Sequence, residues 1–271
     1  MAVSSTPTPG GPPAVRPPAP QPPPGGAAVR PGREALRVWA TVLGGLAVFK
    51  FALAPILPYG PSITGALAVG AFLWVPSHQN RRHGREDSDY GLNLRHWKRD
   101  LALALWVMAV VFPLFVGGYR LFLYGYAHWL PAWAVRAHWV APYRAAYAWH
   151  WRAPWATPMD FLNVVGGNVA VALGEEFFYR GYLLERLSRA LPAMARLLGQ
   201  PFGRAAVLET ALFAAGHLLT PAPYRLGTFF PGLLFTWMAL RSKGVLSPAI
   251  VHASSNILIR TLEASAFGLG H

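Results

Sequence analysis

The sequence predicts an all-α fold: a polytopic membrane helix bundle with about seven transmembrane spans and one Trp-rich segment lying along the interface. Of the 271 residues, 54% are hydrophobic and 13% charged, a balance too apolar for a water-soluble globule. Apolar runs long enough to cross a bilayer recur along the chain. Eleven Trp supply rings that favour the boundary between hydrocarbon and headgroups. The formal charge of +13 falls between the apolar runs, as in loops retained on the cytoplasmic side of a membrane. That distribution makes the lipid bilayer the partner and argues against nucleic acid. With no cysteine, disulfides, thiolate metal sites and a cysteine nucleophile are excluded.

Residues 1–33 are mostly Pro, Gly and Ala without apolar periodicity and read as a disordered or polyproline-like N-terminal tail. Because the first apolar run comes only after them, a cleaved signal peptide is not expected. Residues 34–271 read as one helical domain, with spans near 36–58, 61–76, 101–125, 158–182, 204–220, 226–241 and 246–267. The second and sixth are short for a bilayer. A basic loop, SHQNRRHGREDSDYGLNLRHWKRD, separates spans two and three, and the Trp-rich segment separates three and four. Arg33 and Arg37, Arg81 to Arg99, Arg186 to Arg204, and Arg241 with Lys243 fall in alternate loops, so the N-terminus is expected in the cytoplasm. The Ala, Gly, Pro and Arg bias suggests a high-GC bacterium, which makes its inner membrane the expected location.

Ionisable side chains are costly at bilayer depth, and each is by default a candidate functional group facing the protein interior. Span four ends in GEEFFYRGYLLERL, residues 174–187. Glu176 and Arg180 stand four apart on one helical face with the acid N-terminal to the base, the better order for an ion pair. Glu175 is rotated about 100° away, which leaves it free for chemistry. The competing reading is a charge cluster at a helix end. Gly167, Gly174 and Gly181 recur every seven residues and predict a stripe for close helix packing. In span five, ETALFAAGHLL puts Phe213 one turn before His217. Glu209, two turns before His217, reads as a residue near the cytoplasmic end, with a supporting partner of the site as the alternative. Lys50 and Arg120 lie close enough to span ends to snorkel.

Span seven opens LSPAIVHASSN, where Ser247 and Pro248 signal a helix start. His252 and Asn256 share a face and offer donors to a developing oxyanion, although an interhelical hydrogen-bonding pair would look the same. Ser254 and Ser255 read as packing residues, since no triad partner is evident. One free glutamate, two histidines and an asparagine on three spans are the parts of a water-activating hydrolase. Glu175, His217 and His252 would equally suit a divalent metal such as zinc. No HExxH occurs, which rules out a soluble-type zincin.

These segments together resemble a known family. Glu175 to Arg180 is similar to the EExxxR motif of the CPBP intramembrane proteases, the CAAX-processing and bacteriocin-processing type. Phe213 to His217 resembles their FxxxH motif, and His252 to Asn256 their HxxxN motif. The resemblance covers residues 158–267. It implies an intramembrane endopeptidase that cleaves a membrane-anchored protein or peptide near its C-terminus, by a metal-dependent or a metal-free route. In it Glu175 and His217 would activate water, His252 and Asn256 would hold the oxyanion, and Glu176, Arg180 and Phe213 would support them. A bacterial subset, the myxosortase-like sorting proteases, trims C-terminal anchors from surface proteins. The rival readings are a catalytically silent immunity or scaffold protein, and a proton-coupled transporter built on the same polar residues.

Overall fold

A computed structural model describes residues 31–129, 151–191, 193, 195–220 and 223–267. The helices are α1 (Pro31–Val48), α2 (Gly60–Arg82), α3 (Trp97–Trp129), α4 (Pro158–Glu176), α5 (Leu184–Ala190), α6 (Arg204–Gly216), α7 (Phe229–Ser242) and α8 (Leu246–Phe267). A π-helical turn, Phe177–Leu183, joins α4 to α5 without a break, so the described residues form seven helical rods. The fold is therefore all-α apart from one small hairpin. Strands β1 (Ala195–Leu197) and β2 (Gln200–Phe202) pair with Ala195 opposite Phe202. Leu198 and Gly199 turn the hairpin with positive φ at both positions, the geometry that suits a two-residue connection.

Several sequence boundaries move. Residues 31–33, assigned to the tail, already belong to α1, where Gly32 and Ala35 are buried. The second span is short in its apolar part, which stops near Pro76, but its helix continues through Ser77, Gln79 and Asn80 to Arg82. There Ser77 and Asn80 donate to Asp87 at 2.7 and 3.1 Å, so polar partners extend the helix beyond its apolar part. The sixth rod is short as expected, 14 residues. Ser247 lies inside the first turn of α8, and its buried hydroxyl has no partner among the described residues. The N-terminal tail up to residue 30 and most of the Trp-rich segment lie outside the described residues.

α4 starts at a capping box: Thr157 accepts from the Asp160 amide at 3.1 Å, and the Thr157 amide donates to the Asp160 carboxylate at 3.0 Å. Pro158 occupies the first helical position, where its missing N–H is harmless. α8 is central and packs on α3, α4 and α7, while α2 covers α4 and α1 covers α5. One core cluster joins α1 and α2 to the π turn and α6 through Leu43, Phe72, Phe178, Tyr179, Tyr182 and Phe213. A second joins α3, α7 and α8 through Val107, Phe235, Met238 and Val251. The segments Pro31–Ile56 and Trp97–Phe122 are long and apolar enough to cross a membrane. Along α3, Leu105, Trp106, Leu114 and Leu121 are more than half exposed, an apolar face suited to lipid.

The chain turns sort into two ends. At one, His83 meets Glu34 at 2.9 Å, Arg99 donates to the Arg241 carbonyl at 2.8 Å, and the Val245 amide donates to the Gly91 carbonyl at 3.1 Å. At the other, Lys50 donates to Thr220 at 3.3 Å and the Arg152 amide donates to Ser265 at 2.9 Å. The first end gathers the basic loops. The expected glycine stripe is only partly realised. Gly174 abuts the α2 backbone, with a Cβ position 3.6 Å from the Val69 carbonyl, and Gly181 faces the Tyr90 carbonyl, while Gly167 faces open space. The π turn starts between Gly174 and Gly181, includes Gly181 and carries it off the α-helical stripe.

Gly91 fastens the basic end. Its φ is +84°, and a Cβ there would lie 2.7 Å from the Gly244 Cα. Gly91→Ala is expected to destabilise the protein by about 1–3 kcal/mol, because strain and backbone contact add. Gly45→Ala, in open space on α1, is expected to be neutral or stabilising by up to about 1 kcal/mol. Thermal melts of the two variants in one detergent check the opposite signs.

Candidate active site

The site grows from the π turn. A π turn adds one residue to the helical repeat, and such insertions concentrate at functional sites. Here it carries Phe177, Phe178, Tyr179 and Arg180 entirely into the interior. The Arg180 guanidinium is fully buried and shared. Nη1 donates to Glu176 Oε1 at 3.3 Å, Nη2 donates to the Gly232 carbonyl at 3.1 Å, and Nε pairs with Glu209 Oε1 at 3.4 Å. Its planar face rests on the Phe213 ring, 4.1 Å from the centroid. Gly232 allows this approach: a Cβ there would meet Thr210, Phe213 and Arg180 at 3.3 Å or less.

Glu176 has a second duty. Its Oε1 also accepts from His252 Nδ1 at 2.8 Å. A carboxylate only accepts, so Nδ1 carries the hydrogen and His252 Nε2 is aimed elsewhere. It is aimed at Glu175, whose Oε2 lies 3.7 Å away. That gap is too long for a direct hydrogen bond and short enough for a shared small molecule or reacting atom. The imidazole is clamped on both sides, stacked on Phe235 with centroids 5.0 Å apart and edge-on to Phe213 at 5.9 Å. The two adjacent glutamates are thus separated as the helical period predicts. Glu176 is sealed in the core, while Glu175 keeps 17% of its side chain accessible and its Oε2 has no hydrogen-bond partner among the described residues.

Glu175, His252, Asn256 and His217 all line one cavity of about 1090 Å³ between α1, α2, α4, α8 and the α6–α7 connection. α6 ends at Gly216, and His217 opens a short 3-10 turn. The Phe213 carbonyl accepts from His217 Nδ1 at 2.9 Å, and the imidazole lies edge-on to the Phe213 ring at 4.6 Å. This fixes the tautomer in which His217 Nε2 is an acceptor. Asn256 follows His252 by one turn on α8. Ser255 donates to the Val251 carbonyl at 2.7 Å, in keeping with a packing role. The expected pairings of Glu176 with Arg180 and of His252 with Asn256 on one face are present.

Two readings of single residues are corrected. Glu209 does not sit loosely near a helix end. It is fully buried, pairs with Arg180, and accepts from Thr236 at 2.6 Å. Lys50 does not snorkel away from the bundle but lines the cavity and donates to Thr220. Tyr179 was missed altogether. It is 2% exposed, lines the cavity and accepts from the Trp39 indole at 3.3 Å, which leaves its own hydroxyl hydrogen available. Its phenol sits where a Cβ on Gly216 would come within 2.6 Å, so the glycine before His217 makes room for it. The set considered for zinc, Glu175, His217 and His252, lines the cavity without closing into one ligand group; no three His, Asp or Glu side chains do so among the described residues.

The three motif segments fall inside the part of the chain that a family model matches. The family model described as type II CAAX prenyl endopeptidase Rce1-like matches residues 155–258, less than half of the chain. No curated protein and no solved structure matches the chain. The match takes in the capping box of α4, the π turn, all of α6 and α7, and α8 as far as two residues beyond Asn256. Residues 155–258 are thus similar to the Rce1-like type II CAAX prenyl endopeptidases, a family of multi-pass membrane proteases, and two of the described helices are long and apolar enough to cross a membrane.

Proposed function

We propose that the chain is an intramembrane endopeptidase that hydrolyses a peptide bond near the C-terminus of a membrane-anchored protein or peptide, using water activated by Glu175. The observation that carries this reading is Glu175 in the cavity wall, its Oε2 without a hydrogen bond among the described residues and 3.7 Å from His252 Nε2, beside a second glutamate already committed to Arg180 and His252. Water seated against Glu175 loses a proton to it as its oxygen attacks the scissile carbonyl carbon. His217 Nε2, an acceptor, takes a hydrogen bond from the same water and orients it. The carbonyl oxygen becomes an oxyanion, to which the Asn256 amide and His252 Nε2 donate. For that donation His252 carries hydrogen on both nitrogens, and Glu176 at Nδ1 balances the charge. The proton held by Glu175 then passes to the leaving amine as the C–N bond breaks. Phe213 supports both histidines and Arg180 with one ring. Glu209 is a positioning residue that acts through Arg180.

The bundle would span the membrane seven times with the N-terminus in the cytoplasm, in a bacterial inner membrane. Supporting this orientation, the basic loops lie at one end of the rods, and the cavity opens near the α1–α2 and α6–α7 connections at the other. Substrate tails would then be presented from the outer face, as for a protease that trims C-terminal anchors from surface proteins.

Mass spectrometry of membrane-protein C-termini is expected to reveal shortened species in cells that make the protein. These species should be missing from a deletion strain, and identical C-termini in both would reject the peptidase reading. Because the chain has no cysteine, single cysteines report topology. An impermeant maleimide should label Leu57→Cys in intact spheroplasts and label Leu94→Cys only after lysis; the reverse order would invert the orientation. Glu209→Leu is expected to cost about 3–5 kcal/mol by leaving Arg180 partly uncompensated. Glu209→Asp should keep the fold in thermal melts but lower kcat at temperatures well below the transition, with KM little changed.

A further inference from the structure

Tyr179 carries a hydrogen that no group in the fold accepts. Its phenol ring is held edge-on by Phe72, Phe178 and Phe213, with centroids 6.0, 5.1 and 5.2 Å away, so the hydroxyl is fixed in place. Its oxygen accepts from the Trp39 indole at 3.3 Å. An indole only donates, so the phenolic hydrogen points elsewhere, and no acceptor for it occurs among the described residues. A buried donor left unmade is costly, which makes the cavity the place of its acceptor. Tyr179 lines that cavity together with Glu175, Gly216 and His217. Two observations set the hydroxyl beside the reacting groups. Its oxygen lies against Gly216, the residue before His217, where a Cβ would come within 2.6 Å of it. Among the charged groups that act on it, Glu175 is the strongest, ahead of Glu209 and Arg180.

We infer that the Tyr179 hydroxyl donates to the oxygen of the water that Glu175 activates, an assignment that rests on the endopeptidase reading above. A water molecule directs two hydrogens and two lone pairs to the corners of a tetrahedron. One hydrogen goes to Glu175 and the other to His217 Nε2. With Tyr179 on one lone pair, a single lone pair is left, and it alone can face the scissile carbonyl carbon. Tyr179 gives up no proton in this step. When the new C–O bond forms, the same oxygen becomes the hydroxyl of the tetrahedral intermediate, and the hydrogen bond from Tyr179 stays on it. Tyr179 is thus a catalytic residue, since it touches the reacting atom, and Trp39 is a positioning residue that acts through it. Trp39 belongs to α1, so a helix outside residues 155–258 takes part in the site.

The test uses the full chain in nanodiscs, with its tyrosines carrying carbon-13 at the ring carbon that bears the hydroxyl. The resonance missing from Tyr179→Phe belongs to Tyr179. It is expected to shift in Glu175→Gln and in Trp39→Phe, and to stay in place in Glu263→Gln, a change in the same cavity wall but three turns further along α8 than His252. No shift in Glu175→Gln, or an equal shift in Glu263→Gln, overturns the inference. Turnover is read separately, as new C-termini formed when the purified chain is added to membranes of a deletion strain. Tyr179→Phe is expected to slow their formation by about tenfold or more with an unchanged melting temperature, and Trp39→Phe by about three- to fivefold. A Tyr179→Phe rate within about twofold of the unmodified chain overturns the inference. So does a loss that comes with a lowered melting temperature and is absent from Trp39→Phe, which assigns the hydroxyl to packing. The expected shifts with no C-termini formed by the unmodified chain would leave the water seat standing and reject the hydrolase reading.

Discussion

Everything in the site depends on one buried guanidinium. Arg180 is held by Glu176, Glu209 and the Gly232 carbonyl, which ties α4, α6 and α7 together at a single point. Taking these charges out of water is costly, and only close geometry and satisfied hydrogen bonds offset that cost. The return is specificity of arrangement. With Glu176 fixed by Arg180, its carboxylate can also hold His252 Nδ1, and the imidazole has one orientation, with Nε2 toward Glu175. Three helices are thereby indexed to the atom that would receive a proton from water. Phe213 serves the same end sterically, since Arg180, His217 and His252 all rest on its ring.

The arrangement also explains why two glutamates stand side by side. A lone carboxylate at this depth would be drawn into the nearest ion pair. Supplying a first glutamate to satisfy Arg180 and His252 leaves the second in the cavity wall, with a carboxylate oxygen that makes no hydrogen bond among the described residues. The π turn is what lets one short stretch do both. It buries seven consecutive residues, so that Tyr179 reaches the cavity while Arg180 points to the opposite pair of helices. A sequence that asks for charge in the interior has had to build that interior around it.

Much of this was legible from residue types and spacing. The four-residue interval of Glu176 and Arg180 gave their pairing, and the same interval placed His252 and Asn256 on one face. The role of Glu209 was not legible. Its position two turns before His217 says nothing of which helix lies opposite, and only the packing of α6 beside α4 and α7 reveals the guanidinium it serves. The π turn left no local signature, because FFYRGYL satisfies an ordinary helix equally well. Tyr179 was hidden for that reason: an aromatic residue between motif positions reads as core until the turn aims it at the cavity. The α2 boundary failed differently, since polar residues that pair with Asp87 extend a helix whose apolar run had ended. The hairpin was missed because three-residue strands carry too little pattern to detect.

The central claim is that the adjacent glutamates have separate tasks, one for water and one for structure. Glu175→Gln and Glu176→Gln, compared side by side for kcat and melting temperature in the same nanodiscs, test it most directly. The account predicts that Glu175→Gln abolishes turnover with an unchanged melting temperature, and that Glu176→Gln lowers the melting temperature by many degrees. A Glu175→Gln variant that turns over normally, or a Glu176→Gln variant that melts normally but is inactive, would contradict it.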